Sequence, residues 1–234
     1  MTAMDLDPLW ISLKTALTAT AITFILGIFT ARWMSQHEFK GKSLLDGIFI
    51  LPLVLPPTVV GFLLLWLLGR NTWLGSIFFA IGRPVVFSWS ATVIAAVVVA
   101  FPLMYQTARG AFEQIDTNIE DAARTLGASE QTVFWRITMP IAWPGIAAGT
   151  ILAFARSLGE FGATLMLAGN IPGRTQTIPV AIYFLVESGK KQQAMIWVLV
   201  ILLISFFSIA ALSFWTKYQR RFSHRPAREV SADS

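Results

Sequence analysis

Long uncharged, mostly apolar stretches dominate the chain, and short segments that carry the charges separate them. Residues 15–31, 47–69, 84–108 and 192–216 contain no Asp, Glu, Lys or Arg. A helix needs about 20 apolar residues to cross a hydrocarbon core of about 30 Å. Because none of the stretches alternates strictly between apolar and polar residues, as a barrel strand would, they predict membrane-spanning helices.

A further apolar stretch lies between Arg136 and Arg174, where only Arg156 and Glu160 interrupt it. The pattern predicts an all-α integral membrane protein with five transmembrane helices, near residues 9–33, 45–68, 85–108, 139–167 and 193–216. Segments 72–82 and 175–186 are apolar but too short to cross, so we expect outer-face or re-entrant helices there. A sixth crossing through a short segment stays open. One transmembrane domain over residues 1–217 and a basic tail over 218–234 account for the chain.

Composition and charge agree with a membrane location. Charged residues make up 13% of the 234, against about 25% in soluble domains. Of the 18 Lys and Arg residues, eleven fall on one side of the predicted spans, five on the other and two within spans. Since cytoplasmic loops carry the excess, we predict a multi-pass protein of the cell inner membrane, with the N-terminus outside and the C-terminus cytoplasmic. The basic tail fits anchoring beside anionic lipid, so the bilayer, and no nucleic acid, is the expected partner.

Few residues in this chain are suited to catalysis or to metal binding. There is no cysteine, and both histidines, His37 and His224, lie outside the predicted spans. The triplet at 41–43 matches the end of a phosphate-binding loop, but Gln36 stands where the first glycine should be. We therefore expect no catalytic residue, no metal and no cofactor in this chain, so uphill transport would draw on an ion gradient or on a separate ATPase.

The cytoplasmic loop over residues 109–139 has a helical pattern of its own. An apolar stripe repeats at helical spacing, and polar residues take the other face; the stripe is Ile119, Ala122, Ala123 and Leu126, and the polar set is Glu120, Asp121, Arg124 and Thr125. Thr117 with Glu120 predicts a capping box, and Gly127 a left-handed stop. A second short helix is predicted from Ser129 to Ile137, before Pro140 opens the fourth span. Membrane-surface helices favour basic polar faces, so this acidic one favours a protein partner.

The same loop resembles the signature loop of ABC importer permeases. The matching positions are Asp121, Ala122, Ala123, Gly127, Ile137, Met139 and Pro140, with Asp121 where Glu is usual and Met139 where Leu is usual. The resemblance implies an ABC importer permease fold whose loop is a coupling helix in a cleft of a cytoplasmic ABC ATPase, which would carry ATP and Mg. It also implies a homodimer. The predicted ATPase-coupling residues are Glu120, Asp121, Ala122, Ala123, Leu126, Gly127, Ile137 and Pro140.

Two spans are similar to permeases of the molybdate, tungstate and sulfate group. They are segment 154–164 of the fourth span and segment 51–61 of the second. Sulfate permeases of that group are usually longer, so the resemblance favours molybdate. It implies a permease subunit of an importer that is loaded by an extracytoplasmic oxyanion-binding protein. A permease for another small solute, or an ATPase-independent channel or carrier, stays open as an alternative.

The predicted translocation pathway includes Arg156, Glu160, Pro56 and Pro57. Arg156 and Glu160 are one helical turn apart, and ionisable groups within spans usually face a bundle interior or a water-filled path. The prolines interrupt the backbone hydrogen bonds of the second span, which either kinks it or exposes backbone to a polar path. An intramembrane ion pair of purely structural role is the open alternative for Arg156 and Glu160.

Overall fold

A computed structural model describes residues 6–223, with residues 211–223 described by their backbone alone, and this part of the chain is helical with no strand. The helices are α1 Asp7–Gln36, α2 Lys42–Val54, α3 Pro57–Leu68, α4 Trp73–Ala80, α5 Trp89–Glu113, α6 Thr117–Thr125, α7 Glu130–Val133, α8 Met139–Leu158, α9 Gly162–Ala168, α10 Ile178–Glu187 and α11 Lys191–Ser223. A π-helical turn, Phe134–Thr138, joins α7 to α8 without a break.

The membrane-spanning prediction is confirmed in number but corrected in detail. Four helices within residues 6–223 are long and apolar enough to cross a membrane: Asp7–Gln36, Trp89–Glu113, Glu130–Leu158 and Lys191–Ala210. The fifth predicted span, 45–68, is not one helix, because α2 and α3 meet at an angle of 114°. Counted as one broken span, this pair completes the five.

Other boundaries also move. The third span begins at Trp89 instead of 85, and the fourth ends at Leu158, so that α9 is a separate helix after a break at residues 159–161. The short segments 72–82 and 175–186 form the short helices α4 and α10, and their place at the outer face stays a prediction. Helix α11 continues to Ser223, through the first six residues of the predicted tail 218–234, and residues 224–234 of that tail lie outside the described part.

The core is a three-helix layer with α5 between α1 and α8. Small side chains allow the close approach: Ala19 and Ala31 of α1 and Ala100 of α5 are fully buried. On the other side of α5, a Cβ at Gly149 of α8 would lie 2.0 Å from the Thr107 Oγ1. The fourth-span helix therefore packs closely against α5.

Helices α3 and α9 form a second close contact beside this layer. A Cβ at Gly61 of α3 would lie 2.7 Å from the Ala163 Cα of α9, and a Cβ at Gly162 of α9 would lie 3.1 Å from the Pro57 Cβ. A side chain at position 61 would force the two helices apart, and one at position 162 would be tight. The breaks that precede α3 and α9 are thereby held next to each other.

Candidate functional site

The first candidate site lies where these two broken spans meet. Leu55 and Pro56 are extended, with φ, ψ of −71°, 144° and −54°, 134°, so the chain leaves α2 and starts α3 at Pro57. The second break, at residues 159–161, adjoins it because Gly162 packs on Pro57 and Thr58. Predicted pathway residues that are about 100 positions apart in sequence are thus brought together.

An ion pair spans the second break. The Arg156 Nη1 lies 2.9 Å from the Glu160 Oε2, and the Ala163 backbone N–H donates to the Glu160 Oε1 at 2.8 Å. Glu160 is 2% exposed, whereas the Arg156 side chain is 28% exposed. The carboxylate therefore stabilises both the pair and the first turn of α9, and the guanidinium keeps an open side.

A buried hydroxyl and an aromatic contact lie at this break. The hydroxyl oxygen of Ser157, next to the break, is buried without a hydrogen-bond partner among residues 6–210, as is that of Thr177, which precedes α10. The ring of Phe161, within the break, lies 5.3 Å from the ring of Tyr183 in α10. An unpartnered buried hydroxyl is unfavourable unless something polar reaches it, so the region has hydrogen-bonding capacity left. Whether Arg156, Glu160, Pro56 and Pro57 line a pathway stays a prediction.

The second candidate site is the hook between the third and fourth spans, predicted to be cytoplasmic, which we define as residues 114–139. Helix α6 is present as predicted, but its N-cap is Asp116, whose carboxylate accepts from the Asn118 backbone N–H at 2.9 Å. The predicted capping box of Thr117 with Glu120 is therefore wrong. Gly127 has φ +84°, the predicted left-handed stop, and the Ser129 hydroxyl caps α7 as predicted by accepting from the Thr132 N–H at 3.3 Å.

The faces of α6 explain why that capping box fails. Glu120 is only 6% exposed and points into the protein, although the sequence pattern placed it on the outer polar face. The apolar stripe points outward instead, with Ile119 47% and Leu126 88% exposed, Ala122 exposed and Ala123 half-buried, and Asp121 is exposed beside it. An outward apolar stripe on a hook outside the spans is an uncovered contact surface, which favours a protein partner.

Arg124 fixes the shape of the hook. Its Nε lies 2.7 Å from the Glu130 Oε1 and its Nη1 lies 2.7 Å from the Asp121 Oδ1. The hydrogen bonds to Glu130 and Asp121 raise the pKa of the Arg124 guanidinium, so this link between α6 and α7 stays charged at any physiological pH.

The remaining predicted hook residues lie at the base of the fourth span. Ile137 belongs to the π turn, and Pro140 is the second residue of α8, directly after that turn. The predicted separate helix from Ser129 to Ile137 is wrong, because Glu130–Leu158 is continuous. Continuous helix therefore connects the hook to the fourth span, so a movement of the hook reaches that span.

Two ionic contacts were missed from the sequence. Arg32 of α1 binds Glu120, and Arg109 binds Asp46 at 2.5 Å, where Tyr105 also donates to Asp46 at 2.7 Å. The partners are 59 to 88 residues apart in the chain. In the sequence, the single signal for these contacts was that each charged partner lies near the end of a predicted span.

Comparison with known proteins identifies one family and several similar permeases. The family described as binding-protein-dependent transport system inner membrane component matches residues 23–223. A putative molybdenum transport system permease protein of Bacillus subtilis, YvgM, is 49% identical over 203 residues, covering 86% of this chain and 89% of that protein. The molybdenum transport system permease protein ModB of Escherichia coli is 49% identical over 187 residues, covering 78% and 82%.

More distant relatives share the architecture. A probable sulfate transport system permease protein of Chlorokybus atmophyticus is 36% identical over 204 residues, covering 87% of this chain and 71% of that protein. Among solved structures, a bacterial ABC transporter for import of the polysaccharide alginate superposes with a TM-score of 0.71 at 18% identity, covering 94% of this chain and 80% of that one. The latter likeness concerns the fold alone.

The buried ion pair leads to a stability prediction. Glu160→Gln leaves the Arg156 guanidinium without its partner in an apolar bundle, so we expect the free energy of unfolding to fall by about 3 kcal/mol. The double variant Arg156→Gln, Glu160→Gln removes both charges and should recover most of that loss. Thermal unfolding of the purified protein in detergent measures both. Equal losses for the single and double variants would show that the two charges do not stabilise each other.

Proposed function

Since this chain belongs to the family of binding-protein-dependent transport system inner membrane components, we propose that it is the permease subunit of an ABC importer for molybdate. The observation that supports molybdate as the substrate is the 49% identity with a putative molybdenum transport permease over 86% of the chain. Membership of this family also argues against the alternative of an ATPase-independent channel or carrier. In this assignment the chain is a non-catalytic subunit.

Partners follow from the surfaces that the chain presents. The outward stripe of Ile119 and Leu126 docks in a cleft of a cytoplasmic ABC ATPase, which holds ATP and Mg. A second copy of the chain completes a two-fold pathway, because five crossings form half of it. An extracytoplasmic protein delivers the oxyanion to the outer side. The orientation predicted from Lys and Arg, with the hook in the cytoplasm, places these partners on opposite sides of the membrane.

Transport requires a site that attracts the oxyanion but does not retain it. The open side of the Arg156 guanidinium supplies charge-assisted hydrogen bonds. Glu160 cancels much of its field at 2.9 Å, which keeps the attraction weak. Counted from Pro140 at 1.5 Å per residue, Arg156 is roughly 24 Å along the helix, near the outer side of the membrane. The pair is therefore placed to contact an oxyanion soon after its delivery.

The substrate is tested in liposomes that contain this chain with its ABC ATPase. We expect ATP hydrolysis and import to rise when the binding protein is loaded with molybdate and to stay near the basal rate with sulfate. The control is the same binding protein without ligand. Stimulation by sulfate but not molybdate would keep the importer and overturn the substrate, and failure of the chain to retain any ATPase in detergent would overturn the importer.

The pathway role of the ion pair is tested in the same liposomes. The variant Arg156→Gln, Glu160→Gln keeps the net charge but removes the guanidinium, so we expect import to fall about tenfold, the effect of about 1.4 kcal/mol on a barrier. The matched control is Lys42→Gln, Glu38→Gln, which removes an i,i+4 pair whose Glu38 side chain is 86% exposed. Unchanged import with normal assembly would leave Arg156 and Glu160 a structural pair.

The docking role of the hook is tested at its left-handed glycine. Gly127→Leu strains the turn at φ +84° and adds a side chain beside the docking stripe, so we expect ATPase association to be lost. The control Gly189→Leu creates the same backbone strain at φ +76°, also with open space around it, between α10 and α11. Co-purification measures both variants. Equal ATPase retention by the two would contradict the docking assignment.

A further inference from the structure

Glu120 is a buried carboxylate that two other segments and its own helix bind. The Arg32 Nη2 of α1 donates to both carboxylate oxygens, at 3.0 and 3.2 Å. The Thr138 hydroxyl, in the π turn, donates to the Oε1 at 2.7 Å, and the Arg124 Nη2 donates to the Oε2 at 3.3 Å. Sequence resemblance grouped Glu120 with the residues that touch the ATPase, but at 6% exposure it is not on the docking surface.

The contacts of Arg32 extend this arrangement to the third span. Its guanidinium carbon lies 5.7 Å from the centre of the Phe112 ring, at the end of α5, and 6.0 Å from the centre of the Phe134 ring in the π turn. Arg32 itself is in the last turns of α1. One carboxylate therefore connects the hook to the cytoplasmic ends of the first, third and fourth spans.

Stability alone does not explain why charged residues are buried around Glu120. A buried ionic cluster is often no more stabilising than apolar residues of similar volume, and apolar residues are abundant in this chain. The cluster also includes the only π-helical turn among residues 6–223, and such turns occur often at functional sites. Thr138 is the last residue of that turn and is fully buried.

We propose that Glu120 is a positioning residue that transmits displacement of the hook to the cytoplasmic ends of α1 and α8. The docking stripe is on one face of α6, and Glu120 is on another, so a force on the stripe reaches the spans through this carboxylate. Helix α8 receives it at Thr138, where the π turn gives the helix a place to bend. The proposal rests on the importer function, because it requires a partner that moves the hook.

The direct test compares ATP use with import. In liposomes with the ATPase and the molybdate-loaded binding protein, Glu120→Gln should raise the ATP hydrolysed per molybdate imported about fivefold. Thr138→Val keeps the shape, removes a single hydroxyl and should raise the ratio about twofold, which provides a test if Glu120→Gln does not fold. The control Glu38→Gln removes an exposed cytoplasmic carboxylate and should leave the ratio unchanged.

A combined variant separates transmission from general destabilisation. If Glu120 acts on α8 through Thr138, then Thr138→Val should not raise the ratio further when Glu120→Gln is present. Independent, multiplying effects would overturn the proposal. So would a wild-type ratio in both single variants.

A second measurement does not require the substrate to be known. Because the chain has no cysteine, Lys40→Cys, in the exposed segment that follows α1, places a single spin label in each of the two copies of the chain in the complex. We expect ATP to change the distance between the two labels in the wild-type background, and this change to be at least halved with Glu120→Gln. An identical change in both would overturn the proposal. Absence of molybdate import by the wild type would instead count against the substrate alone.

Discussion

The pairing of buried carboxylates with arginine is the constraint on which the rest of this structure depends. Glu120 and Glu160 are 6% and 2% exposed in a chain with few charges. A carboxylate without a partner would not remain charged in such surroundings. Arg32 and Arg156 therefore have fixed positions, and with them the ends of the helices that carry them. Both clusters lie where a helix begins, ends or changes its geometry.

The two clusters divide the molecule into parts of different stiffness. Between them lies the layer of α1, α5 and α8, whose Ala and Gly contacts leave little space for side chains to rearrange. The hook, the α2–α3 break and the α8–α9 break lie at the margins of this layer. A rigid centre with jointed margins can transmit movement between the two sides of a membrane without losing its core packing. That property suits a protein which must open to one side at a time.

The sequence predicts this fold well where a single local property decides the outcome. Uncharged stretches of bilayer length identify the spans, and Gly127 and Ser129 mark the hook turns, because each depends only on its neighbours in the chain. The prolines predicted an interruption near Pro56, but not its 114° angle. The break at 159–161 was missed because its cause, the contact of Gly162 with Pro57, joins distant segments.

The orientation of Glu120 shows the same limit for the candidate site. Helical periodicity separates an apolar face of α6 from a polar face, but it cannot decide which of them points inward. The usual expectation would bury the stripe. The position of Arg32, 88 residues earlier, reverses it locally, because a guanidinium that is 13% exposed needs a carboxylate. An outward apolar stripe is then the consequence, and it is also the proposed docking surface.

Arg156 is less completely neutralised than Arg109 and Arg124. Arg109 is bound by Asp46, Glu113 and Tyr105, and Arg124 by three carboxylates. Among the described residues, Arg156 has the single ionic partner Glu160. A guanidinium has five N–H donors, so within residues 6–223 most of those of Arg156 have no acceptor. Arg109 and Arg124 hold helices together, whereas the remaining donors of Arg156 are what the proposed contact with a passing anion requires.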